Sequence, residues 1–136
     1  MAKNYRHLVV ERYGNVACVR LAKSRLDENE IHELALELIH LAREGGCPRV
    51  ALCLGPQTPE CLYSVFLAKL ISLQRRLESL GGGLKLCQCT SQVIEILDAC
   101  VLLDRFDIVA DPAAALAQWN ALPPSNDGPR GAGAAP

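Results

Sequence analysis

Polar and apolar residues first alternate along this chain and then recur every three or four positions, and the change of period predicts the order of its elements. "HLVVERYGNVACVRL" (residues 7–21) carries β-branched and apolar residues on both sides of Gly14-Asn15, which predicts two strands around a tight turn. In "LDENEIHELALELIHLAREGG" (26–46), Ile31, Leu34, Leu38 and Leu41 follow helical spacing, and Leu36 and Ile39 widen the stripe. Asp27 followed three residues later by Glu30 reads as a capping box with aspartate in the hydroxyl role, and Gly45-Gly46 is the stop. "PRVALCL" (48–54) is continuously apolar and bounded by Pro48 and Gly55, as a central strand buried on both faces requires.

A turn-rich loop, "GPQTPE" (55–60), precedes a second helix. Leu62, Phe66, Leu70, Leu73, Leu77 and Leu80 mark its apolar face, with Leu67 and Ile71 alongside. Gly81-Gly82-Gly83 ends it, and "LKLCQC" (84–89) returns as a strand. Thr90 or Ser91 can cap a third helix over "QVIEILDACVLL" (92–103), and "RFDIVA" (105–110) is a last strand. Asp111-Pro112 opens a short alanine-rich helix in the favoured cap-then-proline order. From Pro123 the tail "PPSNDGPRGAGAAP" has almost nothing to bury. The order β-β-α-β-α-β-α-β-α implies one α/β domain over residues 1–122. Its sheet is mostly parallel, with an antiparallel N-terminal hairpin strand and about four helices packed against it, and 123–136 form a disordered tail.

Composition narrows the function classes. A chain of 136 residues with a formal net charge of −1 has no global positive field to hold nucleic acid or an anionic membrane. No apolar stretch approaches the roughly 20 residues that cross a bilayer, and the charged start "MAKNYRHLVVERYG" offers no secretory core, so the expected location is the cytoplasm. Seven scattered cysteines, an odd number, predict reduced thiols rather than a disulfide framework. The tight pair Cys87 and Cys89 would share a face if 83–89 were one strand. Without a second pair, however, no metal and no other cofactor is expected. His32 and His40 have no matching ligands and read as solvated or edge histidines.

Known catalytic and phosphate-cradling signatures are absent. No G-x-x-x-x-G-K-[ST], G-x-G-x-x-G or G-x-S-x-G occurs, and the triple glycine follows a helix, so it is a helix stop. His7, His32 and His40 all lie in the first third, far in sequence from the one serine of interest, Ser64. No nucleophile–base–orienter set can be named, and the expectation is a protein without an active site. Ser64 itself has two readings. As a residue of a helix's first turn it can cap or fill that turn, or it can carry a phosphate that the free N–H groups and the helix dipole would stabilise. A phosphate would change the local charge by about −1.5 to −2.

The ordered series from Arg25 to about Leu116 resembles a STAS domain, the fold of bacterial anti-sigma factor antagonists. "RLDENEIHELALELIHLAREGGCPRVALCL" is similar to that family's first helix and central strand, and "SVFLAKLISLQRRLESLGGGLKLC" to its long second helix, glycine stop and next strand. "TSQVIEILDACVLLDRFDIV" and "DPAAALA" are similar to its third helix, short strand and closing helix. The family's motif, Asp-Ser-[Ser/Thr]-Gly, starts the second helix, and an anti-sigma kinase phosphorylates its first serine. The resemblance places that serine at Ser64, with Tyr63, Val65 and Phe66 standing where the family has aspartate, a hydroxyl residue and glycine.

What the resemblance implies is a non-enzymatic regulatory module. It would bind a protein partner, an anti-sigma factor or serine kinase, through Thr58, Glu60, Tyr63 and Ser64, as a monomer or weak dimer. Two rivals stay open: a constitutive scaffold of the same fold without a phospho-switch, and a small-ligand or nucleotide-binding domain. Deleting residues 123–136 should leave the melting temperature within about 2 °C, because such a tail buries little. A larger loss in a thermal scan would mean that the tail packs on the domain.

Overall fold

The computed structural model describes residues 5–56, 59–60 and 64–119. The tail expected at 123–136, and the loop residues Thr58 and Tyr63, lie outside the described residues. Along the chain run β1 (Leu8–Tyr13), β2 (Val16–Leu21), α1 (Glu28–Arg43), β3 (Arg49–Cys53), α2 (Ser64–Ser79), β4 (Gly83–Cys87), α3 (Ser91–Ala99), β5 (Asp107–Val109) and α4 (Pro112–Gln118). A single turn of 3-10 helix, Leu103–Arg105, leads into β5. This is the order that the sequence pattern predicts.

The five strands stand in chain order, with β1 antiparallel to β2 and every other pair parallel. Parallel neighbours need crossovers, and α1, α2 and α3 supply them. Gly14 turns the hairpin with a φ of 64°, the left-handed setting that a two-residue turn requires and that glycine adopts without strain. Asp27 caps α1 as expected: the Glu30 amide donates to the Asp27 carboxylate at 2.8 Å, and the Asp27 amide donates back to Glu30 at 3.0 Å. The Thr90 hydroxyl accepts from the Val93 amide to start α3, and Asp111 accepts from Ala114 to start α4, with Pro112 just inside.

Strand alternation sorts the core into two layers. Val50, Leu52, Leu84 and Leu86 face the side covered by Leu34, Leu38, Phe66, Leu70 and Leu97 from α1, α2 and α3. Cys18, Ala51, Cys53, Cys87 and Val109 face the other side, which Ala115 of α4 covers. β3 is thus buried on both faces, as its unbroken apolar run predicts. Gly82 lies so close to the Pro48 carbonyl that a side chain there would strike backbone, and the Gly83 amide donates to the same carbonyl at 3.1 Å. The triple glycine therefore stops α2 and also lets β4 approach the entry of β3.

One buried cation orders the α4 side. Lys85 is only 7% exposed, yet its Nζ donates to the Asp107 carboxylate and, at 2.9 Å, to Gln118 Oε1. It also lies 5.0 Å from the centre of the Trp119 ring, while Arg49 donates to the Trp119 carbonyl at 3.1 Å. These contacts tie the end of α4 to β3, β4 and β5, and they satisfy a charge that would otherwise be costly to bury.

Three local expectations are corrected. Leu36 is 53% exposed, because it sits two residues from both Leu34 and Leu38 and so points away from their stripe. The third helix ends at Ala99 rather than running to Leu103, since Val101 takes a φ of 56° and breaks the helical path. The fourth strand ends at Cys87: Gln88 has a φ of 53°, which disrupts the alternation, so Cys87 and Cys89 do not share a face. Cys87 packs under α4, whereas Cys89 packs against the opposite layer.

The two classes of apolar side chain should respond differently to truncation. Phe66→Ala should cost about 3–5 kcal/mol in urea unfolding, the usual cost of emptying an aromatic core site. Leu36→Ala should stay within about 0.5 kcal/mol. Equal costs would contradict the observed layering.

Candidate functional site at the C-terminal edge of the sheet

All parallel strands deliver their C-terminal ends to one edge, and the loops into α1, α2 and α3 gather there. In α/β sheets this edge is where binding residues collect, because loops can vary while the sheet holds them in place. Ser64 is the first residue of α2, and its side chain is exposed. Its hydroxyl makes no hydrogen bond among the described residues. The first turn of α2 contains no acidic residue, so nothing there offsets the positive end of the helix dipole.

Glu60 is held in place. Its carboxylate accepts from Arg25 Nη2 at 2.7 Å and from Nε at 3.2 Å, a forked pairing, and its amide donates to the Ser24 carbonyl at 2.8 Å. These bonds lock the loop before α2 onto the loop before α1. The start of the same loop is fastened to β4: the Leu54 amide donates to the Cys87 carbonyl at 2.9 Å, and Gly55 abuts the Gln88 carbonyl so closely that only a glycine fits. Between the loops lies a pocket of about 290 Å³ lined by Arg20, Lys23, Ser24, Pro56 and Pro59 among others. Lys23 there pairs with Glu30 at 2.6 Å. A shallower groove bounded by Pro59, Glu60, Gln92, Glu95 and Ile96 runs from the loop to α3.

Of the sequence-predicted site residues, the structure brings Glu60 and Ser64 to the same edge, whereas Thr58 and Tyr63 lie outside the described residues. Val65 is half-buried, and Phe66, standing where the resemblance has glycine, is fully buried in the core. Sequence reading did not anticipate that α3 and Arg25 stand beside this edge. Only the tertiary approach of separate loops brings them there, so no local spacing could have revealed it.

The histidines are all engaged. His7 is buried with its Nε2 2.8 Å from Glu33, His40 Nδ1 lies 3.0 Å from the Tyr5 hydroxyl, and His32 Nδ1 lies 3.2 Å from Lys69 Nζ. Among the described residues, no group of three or more His, Cys, Asp or Glu side chains is arranged to hold a metal ion. Nor is any described helix long and apolar enough to cross a membrane.

The chain resembles known proteins in fold and not in sequence. No protein-family model matches the chain, and no curated protein matches it in sequence. Solved structures do match. TM1081 of Thermotoga maritima superposes with a TM-score of 0.73 at 15% identity, covering 88% of this chain and 94% of that one. An anti-sigma-factor antagonist (STAS) domain protein from Planctomyces limnophilus gives a TM-score of 0.68 at 19% identity, covering 84% and 98%. The Bacillus cell fate determinant SpoIIAA in its phosphorylated form gives 0.61 at 12% identity, covering 82% and 98%. The chain has the STAS fold: a five-stranded mixed sheet with four helices.

If Ser64 has no capping role, Ser64→Ala should leave unfolding stability within about 0.5 kcal/mol of wild type. A loss of about 1 kcal/mol, measured by chemical denaturation, would instead assign it to the cap.

Proposed function

We propose that this chain is a non-enzymatic regulatory module that binds a protein partner through the edge formed by the loop 55–63, the start of α2 and the facing side of α3. The observation that carries this reading is an exposed Ser64 hydroxyl, unpaired among the described residues, at the N-terminus of a 16-residue helix in the fold shared with anti-sigma factor antagonists. The partner is an anti-sigma factor or serine kinase, and Thr58, Glu60, Tyr63 and Ser64 contact it. Nucleic acid and membrane have no part in this reading. The protein works in the cytoplasm, as a monomer or weak dimer.

Phosphorylation of Ser64 is the proposed switch. The added phosphate would be stabilised by free N–H groups of the first turn, and it would place up to two negative charges on a surface that already carries Glu60 and Glu95. A partner that docks there would have to desolvate that charge. A second reading keeps the interface but removes the switch, and Phe66 favours it: the residue after Val65 is a core anchor rather than the glycine of the resembled motif. Nucleotide binding is the remaining rival, and a thermal shift with nucleotides would reveal it.

With a partner captured by affinity purification, Ser64→Asp should weaken binding at least about tenfold, or about 1.4 kcal/mol, while Ser64→Ala binds as wild type. Equal affinity for all three, with no Ser64 phosphopeptide recovered from cells, would leave the constitutive scaffold as the correct reading.

A further inference from the structure

The α4 face of the sheet carries a row of one guanidinium and two thiol side chains that the proposed partner binding does not use. In the parallel register Arg20 stands opposite Cys53, and Cys53 stands opposite Cys87, so the three form one line across β2, β3 and β4. All three lie on the same side as Cys18, one row away. α4 packs on β3, β4 and β5 but is only seven residues long, so among the described residues the β1–β2 side of this face is left open. A pocket of about 150 Å³ remains beside its first residue, lined by Glu11, Cys18, Arg20, Cys53, Gln88 and Pro112 among others. It has room for several water-sized molecules, each needing about 30 Å³. Cys53 is 4% exposed, at the pocket wall, whereas Cys87 behind it is fully buried.

We infer that Cys53 and Cys87 are a reversible redox pair, in which a hydroperoxide entering this pocket oxidises Cys53 and Cys87 resolves the product as an intrachain disulfide. Adjacent strands lie about 4.8 Å apart, and directly opposed residues on one face therefore fall within the roughly 4.4–6.8 Å between Cα atoms that a disulfide spans. In the first step the Cys53 sulfur attacks one peroxide oxygen, the O–O bond breaks, and the departing hydroxide leaves as water. Cys53 becomes a sulfenic acid. In the second step the Cys87 sulfur attacks that sulfur, the S–O bond breaks, and the hydroxyl leaves with the Cys87 proton as a second water. With hydrogen peroxide, two thiols and one peroxide become one disulfide and two waters.

The two sulfurs are set for different tasks. A hydrogen bond from Cys87, assisted by the Arg20 guanidinium, holds the Cys53 thiol below its ordinary range, against burial and the charges of Asp111 and Glu11. Cys87 is pushed far up, first by donating to Cys53 and then by burial. Once Cys53 is a neutral sulfenic acid, the thiolate that retained the Cys87 proton is gone, and Cys87 becomes free to attack. Cys18 and Cys89 do not match this: burial pushes both up to about 11.

Hydrogen peroxide treatment of the native full-length chain, followed by alkylation and peptide mapping, tests the pair. The expected product is a single Cys53–Cys87 disulfide that dithiothreitol reverses. In Cys87→Ser, dimedone should trap a sulfenic acid at Cys53, and Arg20→Gln should slow disulfide formation several-fold. The wild-type map stands even if a variant misfolds. Peroxide modification confined to exposed Cys100, with Cys53 and Cys87 still alkylated, would overturn the inference, and so would a Cys18–Cys53 bond.

Discussion

Strand β3 has no side turned to water. Val50 and Leu52 point into one layer, Ala51 and Cys53 into the other, and all four are buried. Such a strand is stable only when apolar surface covers it from both directions, and this requirement organises the rest of the chain. The crossovers through α1 and α2 bring wide leucine stripes over one face, and the chain must then change sides after β5 so that α4 can cover the other. Chain-order strands joined by same-sided crossovers place every β–α loop into α1, α2 and α3 along one edge. The candidate interaction surface is a consequence of how the core is closed.

The two faces are closed unequally. Sixteen-residue α1 and α2 seal their side with large aliphatic groups, while seven-residue α4 relies on Ala115, Trp119 and the polar anchorage of Lys85. A small apolar helix covers three strands and leaves part of the face accessible. That shortfall is what exposes Arg20 and the edge of Cys53. The thiol row and the candidate interaction edge lie to either side of one strand end. They meet at Cys53–Leu54, where β3 hands over to the loop that leads to Ser64.

Much of this was legible in the sequence because the signals are local. Asp27 with Glu30, Asp111 with Pro112, the alternation around Gly14-Asn15 and the unbroken run of β3 each state a backbone conformation within a few residues, and each element formed where expected. Leu36 was misplaced by its spacing from Leu34 and Leu38, and the other two errors arose where a single backbone angle overrode the pattern. Val101 cut α3 short, and Gln88 sent Cys87 and Cys89 to different layers. Of the candidate edge, the sequence pointed to Glu60 and Ser64 among the described residues. Arg25, Gln92 and Glu95 reach it through tertiary approach, and the Arg20–Cys53–Cys87 row depends on register between strands more than thirty residues apart, which no spacing within one segment reports.

In the proposed function, a regulatory partner docks on the edge around Ser64. Amide hydrogen exchange of the chain, free and saturated with its partner protein, maps that contact directly. Slowed exchange is expected in peptides covering residues 55–66 and 90–96, with β1 and α4 unchanged. Protection confined to β1 or α4, with the edge exchanging as in the free protein, would contradict this docking.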